Sequence, residues 1–123
     1  MAQQSDEIIE LKNEGRVVIA SLTRGAFRDE NGVLAALEKL GHVMDNRQNL
    51  RMVLDLEVVE YMSSAGLGRL VACLKKARAG GGDLILARVR PEIYELLDLM
   101  KLTQIFTVMD TIEEATKTLE QIA

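Results

Sequence analysis

Between Met52 and Leu74 the chain changes its hydrophobic period, and that change constrains its fold more than any other feature. Met52 to Leu56 is an apolar run that reads as a buried strand. From Leu67 onward the apolar residues fall at Leu67, Leu70, Val71 and Leu74, the spacing of one helical face. The joint between them is Met62-Ser63-Ser64-Ala65-Gly66-Leu67-Gly68. Two hydroxyls therefore sit where a strand gives way to a helix. A helix start carries unpaired N–H groups and the positive end of the helix dipole, so an exposed anion there is stabilised by roughly 0.3–1 kcal/mol. Gly66 and Gly68 strip side chains from the first turn, which lets another molecule's backbone approach. The same residues also suit a plainer part. Serine is a preferred N-cap, and the glycines would let a helix pack close to a sheet. Local chemistry alone leaves both readings open.

The rest of the chain repeats the alternation. Ile8 to Leu11 and Val17 to Leu22 are β-prone runs, with Asn13-Glu14-Gly15 between them as a hairpin turn. Val33, Leu34, Leu37, Leu40, Gly41 and Met44 follow helical spacing, and Asp29 or Asn31 is placed to cap that helix. Gly80-Gly81-Gly82 stops the helix after the serine turn, and Leu84 to Ala87 forms the next strand. Pro91 suits the first turn of a helix whose buried stripe would be Ile93, Leu96, Leu97 and Met100. Ile105 to Met109 is a last strand. Asp110 or Thr111 then caps a final helix, with Glu113 or Glu114 placed for a capping box and Ile112, Ala115, Leu119 and Ile122 facing inward. The order ββαβαβαβα predicts an α/β fold: a mixed sheet packed with about four helices, opened by an antiparallel hairpin. In open sheets of this kind function gathers beyond the carboxyl ends of the strands, and the serine turn lies at such an end.

Composition narrows the function classes. A chain of 123 residues reads as a single domain over 1–123, and 48% apolar content supports a packed core. A net charge of −4 works against nucleic-acid binding, where Lys and Arg must neutralise phosphates. With no Trp, two Tyr and two Phe, platforms for stacking bases are scarce. Cys73 is the only cysteine, so no intramolecular disulfide forms, and it reads as a small buried helix residue. The polar, acidic start Met1-Ala2-Gln3-Gln4-Ser5-Asp6-Glu7 does not read as a signal peptide, and no apolar run reaches the ~18 residues expected of a membrane span. A cytoplasmic location is expected.

Several chemistries fail on their own requirements. A nucleophile elbow needs Gly-x-Ser-x-Gly, but Met62 stands before Ser64, and the base would have to be His42, the only histidine. The dinucleotide fingerprint would place its third glycine at Val71, and no P-loop is present. One Cys and one His cannot build a structural zinc site. Glu57 and Glu60 have the chemistry for a hard cation, although two carboxylates beside a turn are usually just solvated. Arg69, Lys75, Lys76 and Arg78 form a basic helix face, which reads as a wetted surface balanced by nearby acids. No catalytic residue, metal ligand or cofactor is expected.

The residues that remain resemble a known family. Val53-Leu54-Asp55-Leu56, a spacer of four residues, then Tyr61-Met62-Ser63-Ser64-Ala65-Gly66-Leu67-Gly68 resembles the core of STAS domains, most closely the stand-alone anti-sigma factor antagonists. Gly80-Gly81-Gly82 with Leu84-Ile85-Leu86 resembles that family's Gly-Gly loop and following strand. The resemblance implies a STAS-like fold and a phosphorylation switch. In such antagonists a serine is phosphorylated by a partner that is both a serine kinase and an anti-sigma factor, and the unmodified antagonist binds that partner and frees the sigma factor. Carried over by position, the phosphorylated residue is Ser64, with Ser63 its rival. Ser63, Ser64, Ala65, Gly66, Leu67 and Gly68, with Arg28 and Glu60, are the expected partner-binding residues. Ser63 stands where the family usually has Asp, and Ala65 where it often has a second hydroxyl. The loop Gly25-Ala26-Phe27-Arg28 stands where antagonists commonly read Gly-Glu-Leu-Asp, so Arg28 reverses a charge. Two other roles fit the resemblance: constitutive docking on a transporter ATPase or signalling assembly, and binding of a nucleotide or small ligand at the Ser63-Ser64 turn.

Overall fold

Six strands line up in chain order to form one sheet in the computed structural model, which describes residues 3–5, 8–27 and 31–122, with residues 3–5 and 27 by their backbone alone. The strands are β1 (Gln3–Ser5), β2 (Ile9–Glu14), β3 (Val17–Leu22), β4 (Arg51–Asp55), β5 (Asp83–Ala87) and β6 (Thr107–Met109). β1 to β3 pair antiparallel, while β3 to β6 pair parallel, with Val17 beside Arg51, Arg51 beside Asp83 and Ile85 beside Thr107. The helices are α1 (Gly32–Met44), α2 (Ser64–Ala79), α3 (Pro91–Leu99) and α4 (Ile112–Glu120). This is the expected mixed sheet with four helices, preceded by the additional short strand β1.

Because each parallel strand lies beside its predecessor, right-handed crossovers put α1, α2 and α3 on one face. Leu37 and Leu40 of α1, Leu70 and Leu74 of α2, and Ile93 and Leu97 of α3 pack there with Met52, Leu54, Leu84 and Leu86. α4 follows the last strand and closes the other face, where Ala115 and Leu119 meet Val17, Ile19, Val53 and Ile85. β4 is consequently buried on both faces, which explains its consecutive apolar residues Met52, Val53 and Leu54. β2 is less covered, with Ile9 in the core, Leu11 packed against it, and Asn13 and Glu14 exposed toward the hairpin. With no reversal of strand order there is no topological crevice, so the serine turn stands as a surface at the end of β4.

Local differences from expectation have local causes. The hairpin turns at Gly15 (φ +61) and Arg16, while Asn13 and Glu14 stay in the ladder opposite Val18 and Val17. Asn31 occupies the N-cap of α1 without a side-chain cap bond; Asp29 lies outside the described residues. Of the three glycines after α2, only Gly81 (φ +86) adopts a left-handed backbone. Met100 is 54% exposed rather than buried, because α3 ends at Leu99 and Lys101 reverses the chain in a left-handed conformation (φ 63). The last strand begins at Thr107, and Ile105 lies outside it, 39% exposed. Ile122 is 38% exposed because it lies past the end of α4. Thr111 caps α4 by accepting from the Glu114 amide at 3.0 Å, and its hydroxyl donates to the Glu114 carboxylate.

Candidate functional site

The connection from β4 to α2, residues 56–63, is pinned at alternate points. Leu56 donates its amide to the Ala87 carbonyl, and Val59 and Met62 are buried in the three-helix core. Glu57, Glu60, Tyr61, Ser63, Ser64 and Ala65 are left exposed. Ser63 has extended backbone (φ −74, ψ 166), and its Oγ accepts the Gly66 amide at 3.1 Å. Its carbonyl takes the Leu67 amide at 2.9 Å, the first bond of the helix. Ser63 is therefore the N-cap. Ser64 is the first helical residue, exposed, and its hydroxyl bonds to no described residue. Capping and availability fall to different serines, so the cost of losing a cap, about 0.5–2 kcal/mol, attaches to Ser63 and not to Ser64.

The two glycines also differ. A Cβ on Gly66 would stand 2.8 Å from Met62 Cγ, so Gly66 is needed for internal packing. A Cβ on Gly68 would meet nothing within 4 Å, so its bareness faces outward. Gly66 and Leu67 are buried, which leaves Glu60, Tyr61, Ser63, Ser64, Ala65 and Gly68 as the surface a partner can touch. Tyr61 is 73% exposed, a large aromatic side chain left in water at the edge of the turn. Arg28 lies outside the described residues.

Charges around the turn are paired. Glu57 meets Arg88 at 3.2 Å and Glu60 meets Arg90 at 4.0 Å, and no cluster of three or more metal-ligating groups forms among the described residues. His42 pairs with Asp45 at 3.7 Å, and Asp45 in turn binds Lys76. Lys76 is twelve residues along α2 from Ser64, about 18 Å at helical rise, so His42 is not placed as a base for that hydroxyl. Arg69 pairs with Glu38 and Arg78 with Asp83, which makes the basic face of α2 a balanced one. Lys76 holds the Asp45 carboxyl below the usual carboxylate range. Burial pushes the Cys73 thiol up, in keeping with its place in the core.

Sequence reasoning missed a network beneath the turn. Asp55, 4% exposed at the end of β4, accepts two bonds from Arg88, at 3.0 Å from Nε and 2.6 Å from Nη2. Ser21 Oγ donates to the same carboxylate at 3.0 Å, and so does the Glu57 amide at 3.1 Å. The hydrogen bond to Asp55 raises the pKa of the Arg88 guanidinium above its ordinary value. The available signal was a carboxylate inside the apolar run Val53-Leu54-Asp55-Leu56, because a buried charge requires a partner. Which cation answers it is set by the fold.

The fold and the turn define an α/β domain with a bare helix start at the end of its second parallel strand. Residues 33–115 match the STAS domain, and the chain belongs to that family. It is 26% identical over 115 residues to the anti-sigma F factor antagonist of Paenibacillus polymyxa, covering 94% of this chain and 97% of that one. The structure of an anti-sigma-factor antagonist (STAS) domain protein from Planctomyces limnophilus matches with a TM-score of 0.80 at 23% identity, over 92% of this chain and 98% of that one. The anti-sigma factor antagonist SpoIIAA, in its unphosphorylated form, matches with a TM-score of 0.71 at 21% identity, over 94% and 98%. At such identities the two structures bear on the fold alone. Among the described residues no helix is long and apolar enough to cross a membrane.

Proposed function

We propose that this chain is an anti-sigma factor antagonist, one STAS unit spanning 1–123 that binds its partner through the Ser63–Gly68 turn and is switched by phosphorylation at Ser64. The observation that carries this reading is the division of labour between the serines. Ser63 is occupied as a cap, while Ser64 presents an exposed hydroxyl with no bond to a described residue. The partner is an anti-sigma factor that is also a serine kinase. The name of the relative from Paenibacillus polymyxa supports an antagonist's role. Phosphorylation adds about −1.5 to −2 charges at neutral pH. The start of α2 accommodates that charge, so the domain keeps its shape. A partner surface packed on the turn would instead have to accommodate a bulky dianion in a partly desolvated contact, and each ~1.4 kcal/mol of lost interaction lowers affinity tenfold.

The test is a binding titration against the ATP-binding partner captured with the chain from extracts. Ser64→Glu is expected to bind at least tenfold more weakly than wild type, and Ser64→Ala at least as well. Incubation with ATP should place one phosphate on wild type and none on Ser64→Ala. Equal affinity of all three proteins would sink the switch and leave constitutive docking. Modification abolished by Ser63→Ala but not by Ser64→Ala would move the site to Ser63.

A further inference from the structure

Arg88 stands directly after β5 with a left-handed backbone (φ 55), a conformation that carries a steric cost for a residue with a side chain. Two things hold it there. Its amide donates to the Met109 carbonyl at 3.2 Å, and its guanidinium is forked onto the buried Asp55. A strained backbone persists where its surroundings over-determine it, and such places gather at functional sites. What Arg88 does with that geometry is visible at Glu57. The Glu57 carboxylate meets Arg88 Nη1 at 3.2 Å, and its amide donates to Asp55, the carboxylate that Arg88 holds. Its carbonyl accepts Arg90 Nε at 2.6 Å. All three polar groups of Glu57 are thus gripped by one network at the ends of β4 and β5. Glu57 is the second residue of the connection that delivers Ser63 and Ser64.

We infer that Arg88 is a positioning residue: through Asp55 and Glu57, with Arg90 beside it, it fixes the 56–63 connection and so the presentation of the serine turn. The inference rests on the proposed role of Ser64 for its functional meaning, though not for its geometry. A connection that samples other conformers binds a partner only through the competent fraction, and apparent affinity falls in proportion to that fraction. The clamp adds rigidity on the solvent side of a connection whose core anchors are Leu56, Val59 and Met62, rigidity that would otherwise have to come from the partner.

The experiment is amide hydrogen exchange on the full chain, read by peptide, for Arg88→Gly and Arg90→Ala. Glycine keeps the left-handed backbone and removes the guanidinium, so strain and clamp are separated. Arg90→Ala removes a partly exposed donor and leaves the Asp55 pair intact. Exchange across 56–63 is expected to rise at least tenfold in Arg88→Gly and about threefold in Arg90→Ala, while peptides from β3 and α4 stay within twofold of wild type. Arg88→Lys, which keeps the charge but not the fork, should fall between wild type and Arg88→Gly. Exchange across 56–63 within twofold of wild type in both variants would overturn the inference, and so would an equal rise in every peptide. With the captured kinase, Arg88→Gly should raise KM for Ser64 phosphorylation at least fivefold with kcat held within twofold. An unchanged KM would also overturn it. A wild-type chain that no kinase modifies would overturn the proposed role of Ser64, leaving the exchange result to decide the clamp.

Discussion

The two faces of the sheet are built on different terms. Under α1, α2 and α3 the core is apolar along the whole of β4, with Met52, Leu54 and Leu56 all fully buried. Under α4 the apolar cluster is smaller, and at its C-terminal end the same strand turns a carboxylate inward. Three helices cover the first face, while one covers the second and leaves a groove of about 850 Å³ that reaches Ser21, Asp55 and Arg88 from the side of β2. A buried charge is tolerable on β4 only where a partner can reach it from water, which is at the end of the strand on the thinly covered face. The serine turn draws on both faces. Val59 and Met62 anchor its connection in the thick core, and the Asp55 network anchors it from the thin side.

The largest expected effect tests the thick face. Leu54→Ala removes a side chain with no room to relax and should cost about 2–5 kcal/mol in urea unfolding. Asp55→Ala comes next. It strips Arg88, Ser21 and the Glu57 amide of their acceptor, yet Arg88 is 38% exposed and can turn to water, so the cost should be about 1–3 kcal/mol. If Asp55→Ala proved as costly as Leu54→Ala, the contrast between the faces would collapse. A smaller contrast lies inside the turn: Ser63→Ala should lose about 1 kcal/mol as a lost cap, and Ser64→Ala less than about 0.5 kcal/mol. Equal costs in thermal melts would mean that the two serines share the cap. The smallest effect is one of pH. The Asp45 carboxyl is held low by Lys76, so its pair contributes above the unfolded carboxylate pKa and is lost as pH falls through the lower folded value. Asp45→Asn should therefore lower stability slightly in the neutral region, where the pair contributes, and converge with wild type at low pH, which flattens the acid limb of a stability profile.

How far the sequence carried the reading differs from element to element. The buried strand β4, the amphipathic face of α2 and the capped start of α4 were all legible, because each depends on neighbours within a few residues. The ends of elements were less so. Met100 fits the helical period of α3, but period says nothing about where Lys101 reverses the chain. At the turn, Ser63-Ser64 was legible as a helix start, while the choice of cap was not, because either hydroxyl satisfies the composition rule for an N-cap.

The order of β2 to β6 with their helices, and the helix start, were determined by the sequence alone, since hydrophobic period and residue chemistry act locally. Only the tertiary structure decided that Asp55 meets Arg88 across 33 residues, that Glu57 is held at all three polar groups, and that Gly66 packs inward while Gly68 faces out. Those facts depend on which strand ends lie side by side in the sheet. The parallel register that sets Asp55 beside Ala87 brings Arg88, one residue further on, within reach of a charge that the chain would otherwise have buried alone.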